Sequence, residues 1–249
     1  DASGNIIIAA GAGTLSTATA GTSNLRLGVN AGDAIVSGGE FNVCVGDNSG
    51  TGITTGDENT FIGYDSGKAV TTSTGNTALG FSSLITNILG SKSVAIGRAA
   101  LQVQNPASAV DMLNVAVGYA AGENVTTGVQ NTLIGALSGD TLSTGKNNVA
   151  VGYQALETED TGDRSVAIGS FALKTQNNDS DNYNAALGYA AGLYVSTAVG
   201  STFVGGLAGQ GISNVLLTGN NNTAVGQGAG LVLQGAATQN TFIGAAAGD

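Results

Sequence analysis

Two acidic runs come nearest to a chemical site. Glu157-Thr-Glu159-Asp160-Thr-Gly-Asp163 places four carboxylates within seven residues. Clustered carboxylates are the oxygen donors that hold Ca²⁺, so Glu157, Glu159, Asp160 and Asp163 are the candidate metal ligands. Their spacing is not that of an EF-hand loop, and a solvated connector accounts for the same run. Asn177-Asn-Asp-Ser-Asp-Asn182 is a second run of this kind. The chain has no His and a single Cys, Cys44. Lack of imidazole removes Ser-His-Asp hydrolysis and His-ligated zinc. One Cys makes neither an intrachain disulfide nor a Cys-x-x-Cys site, and Cys44 reads as a buried thiol. Gly226-Gln-Gly-Ala-Gly230 lacks the strand–helix context of a nucleotide loop. No catalytic residue and no cofactor is assigned. Tyr153, Tyr183 and Tyr194 are candidates for stacking on sugars. Tyr64, Tyr119, Tyr153 and Tyr189 all follow a recurring Gly, which favours packing between repeats.

These residues sit in an unusual background. Of 249 residues, 41 are Gly, one is Pro and none is Trp; 10% are charged and 42% are apolar. That excludes a charged disordered segment. Net charge is −10, from 17 acids and 7 bases, and no base follows Lys174. Such a surface is repelled by phosphate backbones and anionic lipid, so no nucleic-acid partner is expected. No apolar run reaches the ~18 residues that span a bilayer, so no direct membrane insertion is expected in this segment. The opening at Asp1 rather than Met points to a processed or trimmed piece.

Periodicity supplies the organisation. A core of Asn or Ser, three residues and Gly recurs from Asn24–Gly28 to Asn240–Gly244, with a degenerate first copy at Asn5–Ala9. The modal interval is 17 residues. The residue before each core Gly is a branched aliphatic: Ile62, Leu79, Ile96, Val117, Ile134, Val151, Ile168, Leu187, Val204, Val225 and Ile243 among them. The third residue after it is always Ala or Ser. The fourth is Gly, except at Leu84, Leu101, Leu156 and Leu173. Each unit offers a short strand, a glycine turn and a polar connector. Frequent Gly and the lack of a sustained apolar stripe at three-four spacing disfavour helix. The units therefore stack as a parallel β-solenoid of about 14 coils, one all-β repeat domain over 1–249. Connectors lengthen at 102–113, 174–183 and 210–221, and such loops on a rigid scaffold often carry recognition or are simply tolerated insertions. The recurring Asn either forms a stacked ladder or caps the turn.

Alternation puts the invariant aliphatics on one strand face and Phe61, Leu133, Phe203 and Phe242 on the other. Permanent aliphatics read as the structural core. The bulky residues opposite them then read as a subunit interface, because thin coils bury too little alone. A closed homotrimer supplies the second cover.

Ser93-Val-Ala-Ile-Gly97 and Ser165-Val-Ala-Ile-Gly169, with Asn114-Val-Ala-Val-Gly118 and Asn148-Val-Ala-Val-Gly152, resemble the head repeat of YadA-like trimeric autotransporter adhesins. Asn76-Thr-Ala-Leu-Gly80 is also similar to repeats in phage tail-fibre-like proteins. The resemblance implies a left-handed β-roll assembled as a homotrimer, outside the cell. It implies a rigid adhesive rod that displays loops to a host-surface glycan or protein receptor, or the shaft of a viral tail fibre. The 17-residue period is longer than that of the adhesin head, and no coiled-coil stalk, neck or membrane anchor is expected within these residues. A self-assembling surface filament is a further reading. An ice-binding solenoid needs an unbroken Thr row, yet Thr opens the strand in only six copies. A glycan-hydrolysing spike needs paired carboxylates in a cleft, yet acids avoid the strands.

Overall fold

A computed structural model describes residues 20–249; the degenerate copy at Asn5–Ala9 lies outside them. The strands are β1 (Leu25–Leu27), β2 (Val43–Val45), β3 (Thr60–Ile62), β4 (Thr77–Leu79), β5 (Gly90–Ser91), β6 (Val94–Ile96) and β7 (Val110–Asp111). They continue as β8 (Val115–Val117), β9 (Thr132–Ile134), β10 (Val149–Val151), β11 (Val166–Ile168), β12 (Ala185–Leu187), β13 (Thr202–Val204), β14 (Thr223–Val225) and β15 (Thr241–Ile243). All but β5 and β7 form one 13-stranded parallel sheet in chain order. Each core triplet pairs residue for residue with the next, as in Thr60↔Thr77, Phe61↔Ala78 and Ile62↔Leu79. The molecule is a parallel β-solenoid of thirteen described rungs. At ~4.8 Å per rung it is a rod of roughly 60 Å. No helix among the described residues is long and apolar enough to cross a membrane.

The core Gly is fixed by its neighbour on the next rung. A Cβ on Gly97 would lie 2.2 Å from the Gly118 carbonyl oxygen, and one on Gly80 2.4 Å from that of Gly97. A column of side chains there would force the rungs apart. The turn then takes a left-handed conformation at the second and fourth residues after this Gly, as at Asn48 and Gly50.

The Asn column is a ladder, and it is also a tie. Asn42 N and Nδ2 donate to Asn24 Oδ1 at 2.8 and 3.1 Å, and Asn59 N and Nδ2 donate to Asn42 Oδ1 at 3.0 Å. Each Nδ2 also donates to the connector that closes its own coil: Asn42 to Gly56 O at 2.8 Å, Asn131 to Gly145 O at 2.8 Å. One buried amide thus links consecutive rungs and closes the loop of one. The expected ladder is present, while the second bond reaches a connector carbonyl 14 residues on rather than capping the local turn.

The interior overturns the assignment of strand faces. The middle residue of each triplet points inward: Phe61, Leu133 and Phe203 are fully buried inside their own coils, and Phe242 packs partly buried against the same core. They are not a subunit interface. The aliphatics Ile62, Leu79, Ile96, Val117, Ile134, Val151, Ile168, Leu187, Val204, Val225 and Ile243 point outward and are not the interior core. Leu79 is 45% exposed, Leu187 50% and Ile243 72%. Alternation separates two faces but does not say which one closes on itself.

Volume decides it. The interior also receives the residue six positions after the strand centre, four after the core Gly. Behind the bulky centres Phe61, Leu133, Phe203 and Phe242 that residue is Gly67, Gly139, Gly209 or Gly248, where a Cβ would sit 2.1–2.7 Å from the bulky side chain. Behind Ala78, Ala95, Ala150 and Ala167 it is Leu84, Leu101, Leu156 or Leu173, each fully buried. Those leucines hold φ of 53, 46, 53 and 47°. A left-handed leucine costs about 1–2 kcal/mol, and its full burial returns about 1.5–3 kcal/mol while filling space an Ala leaves empty. Where both positions are small, neighbouring rungs reach in: a Cβ on Gly122 would meet Leu133 at 2.6 Å and Leu101 at 3.1 Å.

Phe61→Ala is expected to cost about 3–5 kcal/mol through the cavity it leaves. Adding Gly67→Leu recreates the Ala78/Leu84 arrangement and should recover part of that loss. Denaturant melts of the wild type, the single variant and the double variant check this; a double variant no more stable than Phe61→Ala contradicts the volume rule.

Candidate functional site

Three surfaces or clusters stand out once the coil is closed. The first is the outward strand face. Its first column reads Val43, Thr60, Thr77, Val94, Val115, Thr132, Val149, Val166, Ala185, Thr202, Thr223 and Thr241 from the second rung on, beside the branched-aliphatic column already described. No charged residue occupies either column in the thirteen rungs, although the chain carries 17 acids and 7 bases. A continuous uncharged aliphatic stripe of this length is rare on a monomer.

Aromatic rings form two columns on the turn that follows the strands. In the first, Tyr64 stacks on Phe81 with centroids 5.3 Å apart, and the Arg98 guanidinium lies 5.6 Å from the Phe81 ring and 5.5 Å from that of Tyr119. Its rings contact one another or Arg98 and stay about half exposed. In the second, Phe171 meets Tyr153 edge-on at 5.5 Å and Tyr189 at 5.8 Å. The expectation that these tyrosines pack between coils holds for Tyr64, Tyr153 and Tyr189, while Tyr119 packs through Arg98. Tyr183 belongs to neither column; it lies over Arg164 in a connector.

Two buried polar clusters interrupt the apolar interior, four rungs apart. Where Ser93 and Ser165 replace the ladder Asn, a glutamine eleven residues on fills the gap. Gln104 Nε2 donates to Ser93 Oγ at 3.1 Å, and Gln104 Oε1 accepts from Asn114 Nδ2 at 3.0 Å. Gln176 does the same with Ser165 at 2.7 Å and Asn184 at 2.8 Å. Both pairs belong to rungs that carry an interior Leu in the turn. This coupling is visible in the residue types, yet it shows its meaning only once the coil is closed.

The second cluster holds Glu159, fully buried. Its Oε1 accepts from the backbone N–H of Gly162 at 2.9 Å, of Asp160 at 3.2 Å and of Asn178 at 3.4 Å; its Oε2 accepts from Gln176 Nε2 at 2.8 Å and Asn182 Nδ2 at 2.9 Å. Burial pushes its carboxyl up, and these donors oppose that shift. A carboxylate ringed by N–H donors is closed to a cation. The remaining acids of the run point elsewhere: Glu157 pairs with Lys174 at 3.2 Å, Asp160 takes the Ser143 hydroxyl and Asp163 Oδ1 accepts from Lys146 N at 2.6 Å. The Ca²⁺ assignment to Glu157, Glu159, Asp160 and Asp163 therefore fails on geometry, and no group of acids among the described residues is placed to hold a metal. Cys44 is buried as expected, and burial pushes its thiol up to about 12.

Each long connector returns a side chain to the interior. The first pairs β7 with β5 and buries Met112; the second joins Asp163 to Asp181 and buries Asn182; the third buries Leu217. Their tips leave Val110, Tyr183, Ile212 and Val215 exposed.

Glu123, Asp140 and Glu157 occupy one position on successive rungs. Asp140 sits between the other two with Oδ1 buried and unpartnered. Burial first, then its two acidic neighbours, raise its carboxyl from 3.8 to about 6. A raised folded value means that the fold holds this proton more tightly than the unfolded chain does. The group's stabilising contribution is present below 3.8 and lost as pH rises to about 6. Asp140→Asn should therefore raise the melting temperature at neutral pH and leave it unchanged below the unfolded value; an equal gain at both would sink the assignment. Comparison of the chain with family models, with curated proteins and with solved structures gave no match.

Proposed function

We propose that this chain is a segment of an extracellular adhesive fibre: a rigid rod in which three parallel copies bury their outward strand faces against one another and display their long connectors to a host-surface glycan or protein. The observation that carries the reading is the uncharged double column on the outer face of the sheet. Thirteen rungs present a branched aliphatic beside a Val, Thr, Leu or Ala, and the chain's charges are all placed elsewhere. Covering such a face is worth about 25 cal/mol per Å² of apolar surface removed from water. The copies carry identical rungs at identical spacing, so parallel rods meet in register along their whole length. Three flat faces converging on one axis leave no sheet face open. In this reading the subunit interface lies on the aliphatics, because Phe61, Leu133 and Phe203 are buried within their own coils.

The connectors 102–113, 174–183 and 210–221 support the display role. Each is anchored by at least one buried side chain and leaves apolar residues exposed, so a rigid base carries a contact tip. The net charge of −10 opposes association of copies, and added salt should favour it.

Light scattering is expected to give three times the 24.2 kDa chain mass. Leu187→Asp places a charge on the outward face without touching the coil interior. It should reduce the assembly to single chains while the β-sheet circular dichroism signal stays. A wild type that remains at one chain mass across protein and salt concentrations contradicts the reading.

A further inference from the structure

Rungs β11 and β12 form a cleft on the turn side of the rod. It has a volume of about 340 Å³ and is lined by Phe171, Lys174, Thr175, Tyr189, Leu193 and Tyr194. We propose that this cleft binds a neutral pyranose saccharide. The cleft lies within one chain, so the proposal stands apart from the association of copies.

The chemistry of the walls selects the ligand class. Tyr189 is 58% exposed and half-buried Tyr194 lies beside it. The first aromatic column is joined face to face and through Arg98; this second one is joined by edge contacts and lines the cleft. An aromatic ring carries negative potential on its face, which attracts the C–H groups on one side of a pyranose. Within the described residues the Tyr189 and Tyr194 hydroxyls hold no hydrogen bond, unlike those of Tyr119 and Tyr183. Two hydroxyls that both donate and accept suit a ligand made of hydroxyls.

Charge narrows the class further. Lys174 is the cleft's one cation, and it is already engaged. Its Nζ pairs with Glu157 at 3.2 Å, donates to Gln154 Oε1 at 3.1 Å and lies 5.3 Å from the centre of the Phe171 ring. The Thr175 hydroxyl proton is likewise engaged, shared between the Leu193 and Val195 carbonyls at 2.8 Å. No unpaired positive charge waits for an anion, and the chain as a whole carries −10. Anionic sugars and phosphate esters are therefore disfavoured against neutral ones. The volume, at the lower end of ligand cavities, admits a monosaccharide or disaccharide unit rather than a long chain.

The walls are held in place before any ligand arrives. Tyr194 N donates to Gln210 O at 2.8 Å, and Tyr194 O accepts from Leu217 N at 2.9 Å. Leu217 is the buried anchor of the 210–221 connector, so that long connector fixes the Tyr194 backbone. On the other side, the Glu157–Lys174–Phe171 chain of contacts pins the Phe171 ring.

Saturation-transfer NMR on the full chain tests this with methyl β-galactoside, methyl β-glucoside and lactose, using sialyllactose as the charged comparison. Transfer to the apolar-face protons of at least one neutral pyranoside is expected at millimolar concentration, with weaker transfer to sialyllactose. Tyr189→Ala should weaken binding about tenfold, equivalent to ~1.4 kcal/mol. Tyr189→Phe, which keeps the ring and the packing, should retain most of it, and Tyr64→Ala in the first column should change nothing. Circular dichroism of each variant confirms that it is folded. Absence of transfer to every neutral pyranoside, undiminished transfer in folded Tyr189→Ala, or preference for sialyllactose each overturns the proposal. None of these outcomes bears on the mass of the assembly.

Discussion

Every rung must superimpose on the next at the spacing of paired strands, and the rest of this structure answers to that requirement. It explains the glycine column, since a single Cβ would strike the carbonyl above it. It explains why one amide both bonds the next rung and ties its own connector. It also confines bulk to the interior, where each cross-section has a nearly fixed volume to fill. A Phe at the strand centre and a Leu in the turn are alternative solutions to the same cross-section, which is why they do not occur together in one rung. The left-handed leucines follow from this. Their backbone cost is smaller than the burial they gain, so the turn accepts a conformation usually left to glycine.

Much of this is legible in the residues. The period, the parallel sheet, the register and the Asn ladder can all be read from spacing, because stacking imposes identical residues at identical intervals. The direction of the two strand faces cannot be read from alternation. Constancy of the aliphatics suggests burial, but they lie outside the coil. The needed signal is the exchange of size between Phe61 and Gly67 on one rung and Ala78 and Leu84 on the next. That exchange makes sense only if the two positions share one enclosed space. The column of strand centres looks variable in type, yet its large members face Gly in the turn, four of its Ala face Leu, and rungs small at both places, such as Ala116 with Gly122, are filled from their neighbours.

The candidate sites divide in the same way. Acids counted along the chain suggest a metal site at Glu157–Asp163, yet four carboxylates on a tightly wound connector diverge, and the buried one is held by N–H donors. The tyrosine column is legible from its position after the core Gly. The difference between a column bridged by Arg98 and one that lines a cleft depends on side-chain packing that no spacing reports. The coupling of Ser93 to Gln104 and of Ser165 to Gln176 lies between these cases: the pairs recur at equal separation, but only the closed coil shows that the glutamine replaces the missing amide of the ladder.

Near-identical repeats carry a danger of their own, because a strand can pair one position too early or too late along the stack with almost no loss of backbone bonding. The uneven filling of the interior removes that degeneracy. Slippage by a single unit would bring Phe203 into the cross-section that Ala186 leaves to its neighbours, or set an unpaired Gln176 beneath an apolar wall. The pattern of large and small side chains thus works as an address along the axis, and it selects one winding of the chain from a family of otherwise equivalent misfolded isomers.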